Sequence, residues 1–260
     1  MKTIRFVSQV LVPATLVLFV GCASESAKAP TQTESQPPSA APPPVDLKDI
    51  MEAAAAKPSL PFDGEGWQPM FDGRTLSGWR VTQFSHAGKV QCESGAIALN
   101  AGNPFTGINW TNDFPKMDYE VALDAMRVSG FDFFCGLTVP VGDTFCSLIV
   151  GGWGGGVVGI SSLDGSDASE NETGTMAEFE QARWYRIRLR VTGAKIEAWI
   201  DAKKIVDAIT TDRKISLRPG DIELSKPFGI ASWNTGAALR EIKWRHVDGP
   251  ADPVKRRAQE

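Results

Sequence analysis

Two histidines and four cysteines in 260 residues leave little material for histidine-driven catalysis or a transition-metal cage. No CxxC or HExxH spacing occurs, so the familiar zinc patterns are absent. Bases are outnumbered, 27 Lys and Arg against 31 Asp and Glu, which removes the electrostatic grip that nucleic-acid binding requires. No GxSxG elbow is present, and Gly154 to Gly159 matches GxGxxG without the βαβ context that a dinucleotide needs. Tyrosine is scarce at two residues, whereas tryptophan is frequent at eight. The chemistry is therefore left to carboxylates, indoles and backbone.

Long apolar runs are missing too. Lys2 and Arg5 precede an apolar stretch from Val10 to Val20, shorter than the roughly 20 residues that a membrane span needs. This reads as a signal peptide over 1–21. Leu18-Phe19-Val20-Gly21-Cys22 resembles a bacterial lipobox, with Cys22 as the lipidated residue and Phe19 where Leu is usual. The expectation is an exported protein anchored in the cell envelope by lipid alone, at the outer membrane because Ala23 follows the cysteine. A Pro-, Ala- and Ser-rich tether over 22–61 then gives reach, with one short helix over Val45 to Lys57 that is marginal in isolation. Residues 62–248 form the folded domain, and 249–260 a charged tail.

That domain reads as strands. From Met117 to Val128, Tyr119, Val121, Leu123 and Ala125 alternate with Asp118, Glu120 and Asp124, a period of two. Trp184 to Ile200 reads as a hairpin whose two-residue turn has Gly193 first, suiting type II′. Its register then sets Ile187 opposite Ile200, Leu189 opposite Ala198 and Val191 opposite Ile196. On the other face it sets Arg186 against Asp201, Arg188 against Trp199 and Arg190 against Glu197. This complementarity favours a solvated structural face over an anion site for the arginine stripe. Further short strands with Gly, Pro and Asn punctuation predict an all-β fold, an antiparallel two-sheet jelly-roll sandwich.

Cys135 and Cys146 flank a Pro140-Val141-Gly142-Asp143 turn, and the sequence leaves open a disulfide or two buried thiols. Between Val128 and Ala182 there is no Lys or Arg, although eight acids occur, which predicts a local negative field. Within it, Gly151-Gly152-Trp153-Gly154-Gly155-Gly156 surrounds an indole with residues that cannot cover it. Leu163 to Gly174 follows as a loop of carboxylates, amide and hydroxyls. A flat ring beside such groups suits a sugar, with C–H faces on the ring and hydroxyls on the polar atoms. Competing readings are a core tryptophan, a solvated turn, and a Ca²⁺ site made of hard oxygens, though the EF-hand spacing is absent.

Trp67 to Trp79 (WQPMFDGRTLSGW) closely resembles the opening of the 3-keto-disaccharide hydrolase domain family. Tyr119-Glu120-Val121, Trp184 to Arg188, and Ala198-Trp199-Ile200-Asp201 before Val206-Asp207 fit the same pattern, and the resemblance spans about Gly66 to Val247. It implies a concanavalin A-like jelly roll, related to family 16 glycoside hydrolases, in a family named for cleaving 3-keto-disaccharides. Where that family has Asn-Ser-Gly and then Gly-x-Glu-x-Gln, this chain has Phe133-Phe134-Cys135-Gly136 and no glutamate from Ser129 to Ser162. Two readings follow. In one, the protein is a hydrolase or lyase of glycosides with Asp164 and Glu170 as acid and base. In the other it is a non-catalytic, lectin-like surface module. Either way Trp153 is the platform and Asp167 and Asn171 are hydroxyl partners, the partner is a carbohydrate or glycoside, and no cofactor is required.

Overall fold

The computed structural model describes residues 47–247. The signal peptide, Cys22, residues 22–46 of the tether and the tail lie outside the described residues. Among those described, no helix is long and apolar enough to cross a membrane.

One helix, α1 (Leu47–Ala55), precedes fifteen strands. These are β1 (Gln68–Pro69), β2 (Trp79–Val81), β3 (Val90–Glu93), β4 (Ala96–Leu99), β5 (Phe105–Trp110), β6 (Tyr119–Ser129), β7 (Cys135–Val141) and β8 (Thr144–Gly152). They continue with β9 (Val157–Ser161), β10 (Thr175–Met176), β11 (Trp184–Val191), β12 (Lys195–Ile200), β13 (Lys203–Ile209), β14 (Gly229–Trp233) and β15 (Gly236–His246). A 3₁₀ turn, Asp221–Ser225, lies in the connection from β13 to β14. The first sheet runs β13-β12-β11-β6-β15-β4-β3, with β1 added on β15, and the second runs β10-β9-β8-β7-β14-β5-β2. All pairings are antiparallel, so the fold is the two-sheet jelly-roll sandwich that the alternation predicts.

Alternation explains the core. Val121, Leu123 and Ala125 of β6 and Ile187, Leu189 and Val191 of β11 meet Leu137, Val139, Leu148 and Ile160 of the other sheet between the layers. The β11–β12 register is the expected one, Ile187 facing Ile200 through Val191 facing Ile196. Its turn is two residues long, but Gly193 does not adopt the positive φ that type II′ needs. Instead the Thr192 hydroxyl bridges to Lys195, accepting from its amide at 3.3 Å and donating to its carbonyl at 3.2 Å. Cys135 faces Val150 and Cys146 faces Val139, so the two cysteines are out of register and remain buried free thiols.

The polar face of the first sheet differs from the solvated surface that the sequence suggests. Glu120 is wholly buried and takes three arginines: Arg188 Nε at 2.9 Å, Arg190 Nη2 at 3.1 Å and Arg245 Nη2 at 2.8 Å. Asp124 takes Arg186 at 2.7 Å and Arg240 at 3.2 Å. The cover is the segment expected to be a free tether. Arg186 donates to the Ser59 hydroxyl and to the carbonyls of Leu60 and Pro61, while its guanidinium lies 3.8 Å from the Phe62 ring centroid. Helix α1 also docks on this sheet, burying Met51 and Ala54 against Ala96, Ala98, Met126 and Ala238. Tertiary packing thus stabilises a helix too short to persist alone.

Candidate functional site

On the outer face of the second sheet, a cleft of about 390 Å³ is lined by Phe105, Phe133, Trp153 and Trp233 together with Asp132, Ser147, Ser161, Arg218 and Asp221. Antiparallel pairing brings these together from distant sequence. Phe105 of β5 pairs with Trp233 of β14, their rings edge to face at 4.5 Å, and Ser147 of β8 faces Ser161 of β9. Phe84 stacks on Phe105 at 4.8 Å behind them. Because the inward positions of these strands fill the core, the alternate positions face the cleft.

Trp153 is 41% exposed and sits at φ 50° in the turn after β8. Gly151, Gly154 and Gly155 also have positive φ, so the glycines are needed for the path of the turn itself. A Cβ on Gly155 would lie 2.5 Å from the Phe131 carbonyl oxygen. Beneath the turn, buried Arg127 donates to the carbonyl oxygens of Gly151 at 3.3 Å and Gly155 at 2.9 Å. At its side, Asp132 accepts from the amides of Phe133 at 2.8 Å and Gly154 at 3.1 Å. The indole is therefore held out by a pinned support.

The other wall is the segment leading from β13 to β14. Arg218 lines the cleft, its Nη1 3.0 Å from Asp167 Oδ2, while Asp167 Oδ1 accepts from the hydroxyls of Ser161 at 2.8 Å and Ser162 at 3.0 Å. Asp167 thus reaches the cleft through Arg218. Asn171 spends both ends of its amide on its own loop, donating to the carbonyls of Ile160, Ser166 and Asp167 and accepting from the amide and hydroxyl of Thr173. It shapes the loop and offers nothing outward.

Asp164 and Glu170 do not line the cleft, so the pair expected as acid and base is not assembled around Trp153. Asp164 accepts from the Lys214 amide and from Arg213, which hold its carboxyl below the usual range. Arg213 also binds Glu172, and lowers it likewise. The negative field expected over 128–182 is correspondingly offset by Arg213 and Arg218 from outside that stretch. Among the described residues no group of three or more Asp, Glu, His or Cys is arranged to hold a metal ion.

Of the cleft lining only Trp153 is singled out by the sequence, and the residues missed include Phe105, Trp233, Arg218 and Asp221. Trp233 stands out only as an indole beside a turn residue, Asn234. Arg218 and Asp221 belong to Arg218-Pro219-Gly220-Asp221, a turn signal whose place over the second sheet no local pattern reveals.

The sequence pattern of a family described as the 3-keto-alpha-glucoside-1,2-lyase-like domain matches residues 66–247. No curated protein matches the chain. Similar solved structures include the Crh5 transglycosylase, at 13% identity over 71% of this chain and 85% of that one, TM-score 0.48. Another is the carbohydrate binding module CBM66 from Bacillus subtilis, at 11% identity over 65% and 95%, TM-score 0.43. A third is the exoplasmic/lumenal domain of VIP36 in its Ca²⁺/Man3GlcNAc-bound form, at 10% identity over 74% and 95%, TM-score 0.48.

Proposed function

Because the chain belongs to the 3-keto-alpha-glucoside-1,2-lyase-like domain family, we propose that the cleft between Trp153 and Arg218 binds a small saccharide. The observation that carries this is the shared lining: an exposed indole and further aromatic rings together with Arg218, Asp221, Ser147 and Ser161. Sugar C–H faces stack on the rings, and hydroxyls bond the charged and hydroxyl groups. At about 390 Å³ the cleft lies near the small end of ordinary ligand sites, about 300–1,000 Å³, which suits one or two rings.

Asp221 favours a catalytic form of this reading. Asp132, the other carboxylate in the cleft, is already committed to two backbone amides. In a sugar oxidised at C3 the C2 proton is acidic. A carboxylate at Asp221 takes that proton, the C1–C2 double bond forms as the C1–O bond breaks, and the departing oxygen takes a proton from solvent water. One placed base suffices, and no histidine is needed. We place the domain at the outer membrane, held by a lipid on Cys22; the signal-peptide pattern supports this, and loss of lipid labelling in Cys22→Ala tests it.

Turnover of 3-keto and unmodified disaccharides, with products followed by mass spectrometry, tests the activity. The expected result is cleavage restricted to the keto-sugars, lost in Asp221→Asn with affinity kept. Binding without cleavage of any sugar would make the protein a lectin-like module, and absence of binding would overturn the saccharide reading.

A further inference from the structure

The cleft is walled by a strap between β13 and β14 and adjoins a group of exposed apolar side chains. From β13, the segment 210–228 exchanges backbone hydrogen bonds between Ser216 and Ser162, at 2.6 and 3.2 Å, beside β9. It then ties Arg218 to Asp167 and buries Ile222 among Phe84, Phe105, Phe133, Ile149 and Ala231. On β5, Asn109 Nδ2 donates to the carbonyls of Leu224 at 3.0 Å and Lys226 at 3.3 Å. At the start of β14 a Cβ on Gly229 would lie 2.6 Å from the Ser225 carbonyl oxygen, so the end of the strap packs directly on backbone there. It therefore crosses the outer face from β9 to β5 and walls off the cleft.

The cleft is also bounded by the turn that carries Trp153, and the turn that carries Phe131 adjoins it. Six large apolar side chains are well exposed among the described residues, and three of them gather here: Phe131 at 67%, Trp153 at 41% and Met176 at 73%. The glycine turn joins them. A Cβ on Gly156 would lie 2.7 Å from Met176 Cε, and one on Gly155 would touch the Phe131 carbonyl. Asp132, next to Phe131, is bonded to the amide of Gly154. Scattered exposed apolar residues need no explanation, but three beside one glycine turn, with Trp153 among the residues lining the cleft, do.

We propose, resting on the saccharide reading of the cleft, that its ligand is a glycoside with an apolar aglycone, for which Phe131 and Met176, beyond the Trp153 platform, form the subsite. The strap stops the sugar end, whose hydroxyls face Ser147, Ser161 and Arg218, and the aglycone projects past Trp153 onto the lip. Ring-on-ring and sulfur-on-ring contacts there add affinity that a sugar alone does not draw on.

The test is titration of the full chain with methyl α-glucoside and with 4-nitrophenyl α-glucoside, which share the sugar and differ in the aglycone. The aryl glycoside is expected to bind about tenfold more tightly, a gain of roughly 1.4 kcal/mol. Phe131→Ser combined with Met176→Ser, both at exposed positions, should bring it to the affinity of the methyl glycoside and leave the latter unchanged. Equal affinity of the two glycosides in the wild type would overturn the subsite while the saccharide reading stands. If neither glycoside binds, as the glucoside or as its 3-keto form, both readings fall.

Discussion

Asp167 Oδ2 lies 3.0 Å from Arg218 Nη1, and the same carboxylate accepts from the hydroxyls of Ser161 and Ser162 through its other oxygen. Arg218 is a long, exposed side chain whose direction would otherwise be free. The Asp167 ion pair selects the orientation in which the guanidinium lines the cleft together with the aromatic rings.

Asp167→Asn should therefore weaken saccharide binding by about three- to tenfold, the range for removing a charge-assisted hydrogen bond at a partly solvated site. The melting temperature should move little. In an Arg218→Ala background the same substitution should have no further effect on affinity, which a double-mutant cycle by titration calorimetry measures. Additive effects would mean that Asp167 acts independently of Arg218.

Gly155→Ala should cost more binding than its small size suggests. Its φ is 116°, and the new methyl would meet the Phe131 carbonyl oxygen at 2.5 Å. The turn must shift, displacing Trp153 from its hydrogen-bonded support on Arg127 and Asp132. A loss of at least tenfold in affinity is expected with folding retained, read by titration and by circular dichroism.

The folded unit begins well before residue 62. Met51 is 1% exposed, so Met51→Ala should cost about 2–4 kcal/mol in urea unfolding. A chain starting at Phe62 lacks helix α1 and the three acceptors that Ser59, Leu60 and Pro61 give to Arg186. It should unfold at clearly lower urea than one starting at residue 44, because a buried guanidinium loses partners.

Acid should weaken the fold through its turns. Asp72, in the FDGRTLSGW motif, accepts from the Thr75 hydroxyl at 2.6 Å and from the amides of Thr75 and Arg74 at 2.7 Å each, led by the Thr75 hydroxyl in its effect. Its pKa falls from 3.8 to about 2. A folded-state pKa below the unfolded value gives stability that is complete above about pH 4 and lost as pH falls toward 2. Asp164 and Glu172 shift in the same direction. Asp72→Ala should lower the melting temperature at pH 7, and the gap from wild type should close as pH approaches 2.

The sheets were legible in the sequence where one strand faces the next across a short turn. Arg186 to Val191 and Ile196 to Asp201 disclose their register because each pair is complementary. The fate of the outer faces was not legible. Glu120 and Arg188 alternate with apolar residues whether water or another segment covers them, and only the docking of residues 47–67 decides that. The cleft divides in the same way. Trp153 announces itself through its glycines, whereas Phe105, Trp233, Arg218 and Asp221 meet through pairings between strands far apart in sequence. Asp164 and Asn171 look like site residues because a polar loop resembles a binding loop until its internal bonds are counted.

The most direct test of the cleft as a sugar site is a saccharide titration of wild type, Trp153→Ala and Trp199→Phe, the last a control in the first sheet beneath Arg188 at 4.2 Å. Wild type and control should bind, and Trp153→Ala should show at least a tenfold loss with an unchanged melting temperature. Equal affinity in all three proteins would place the sugar elsewhere and contradict the cleft as its site.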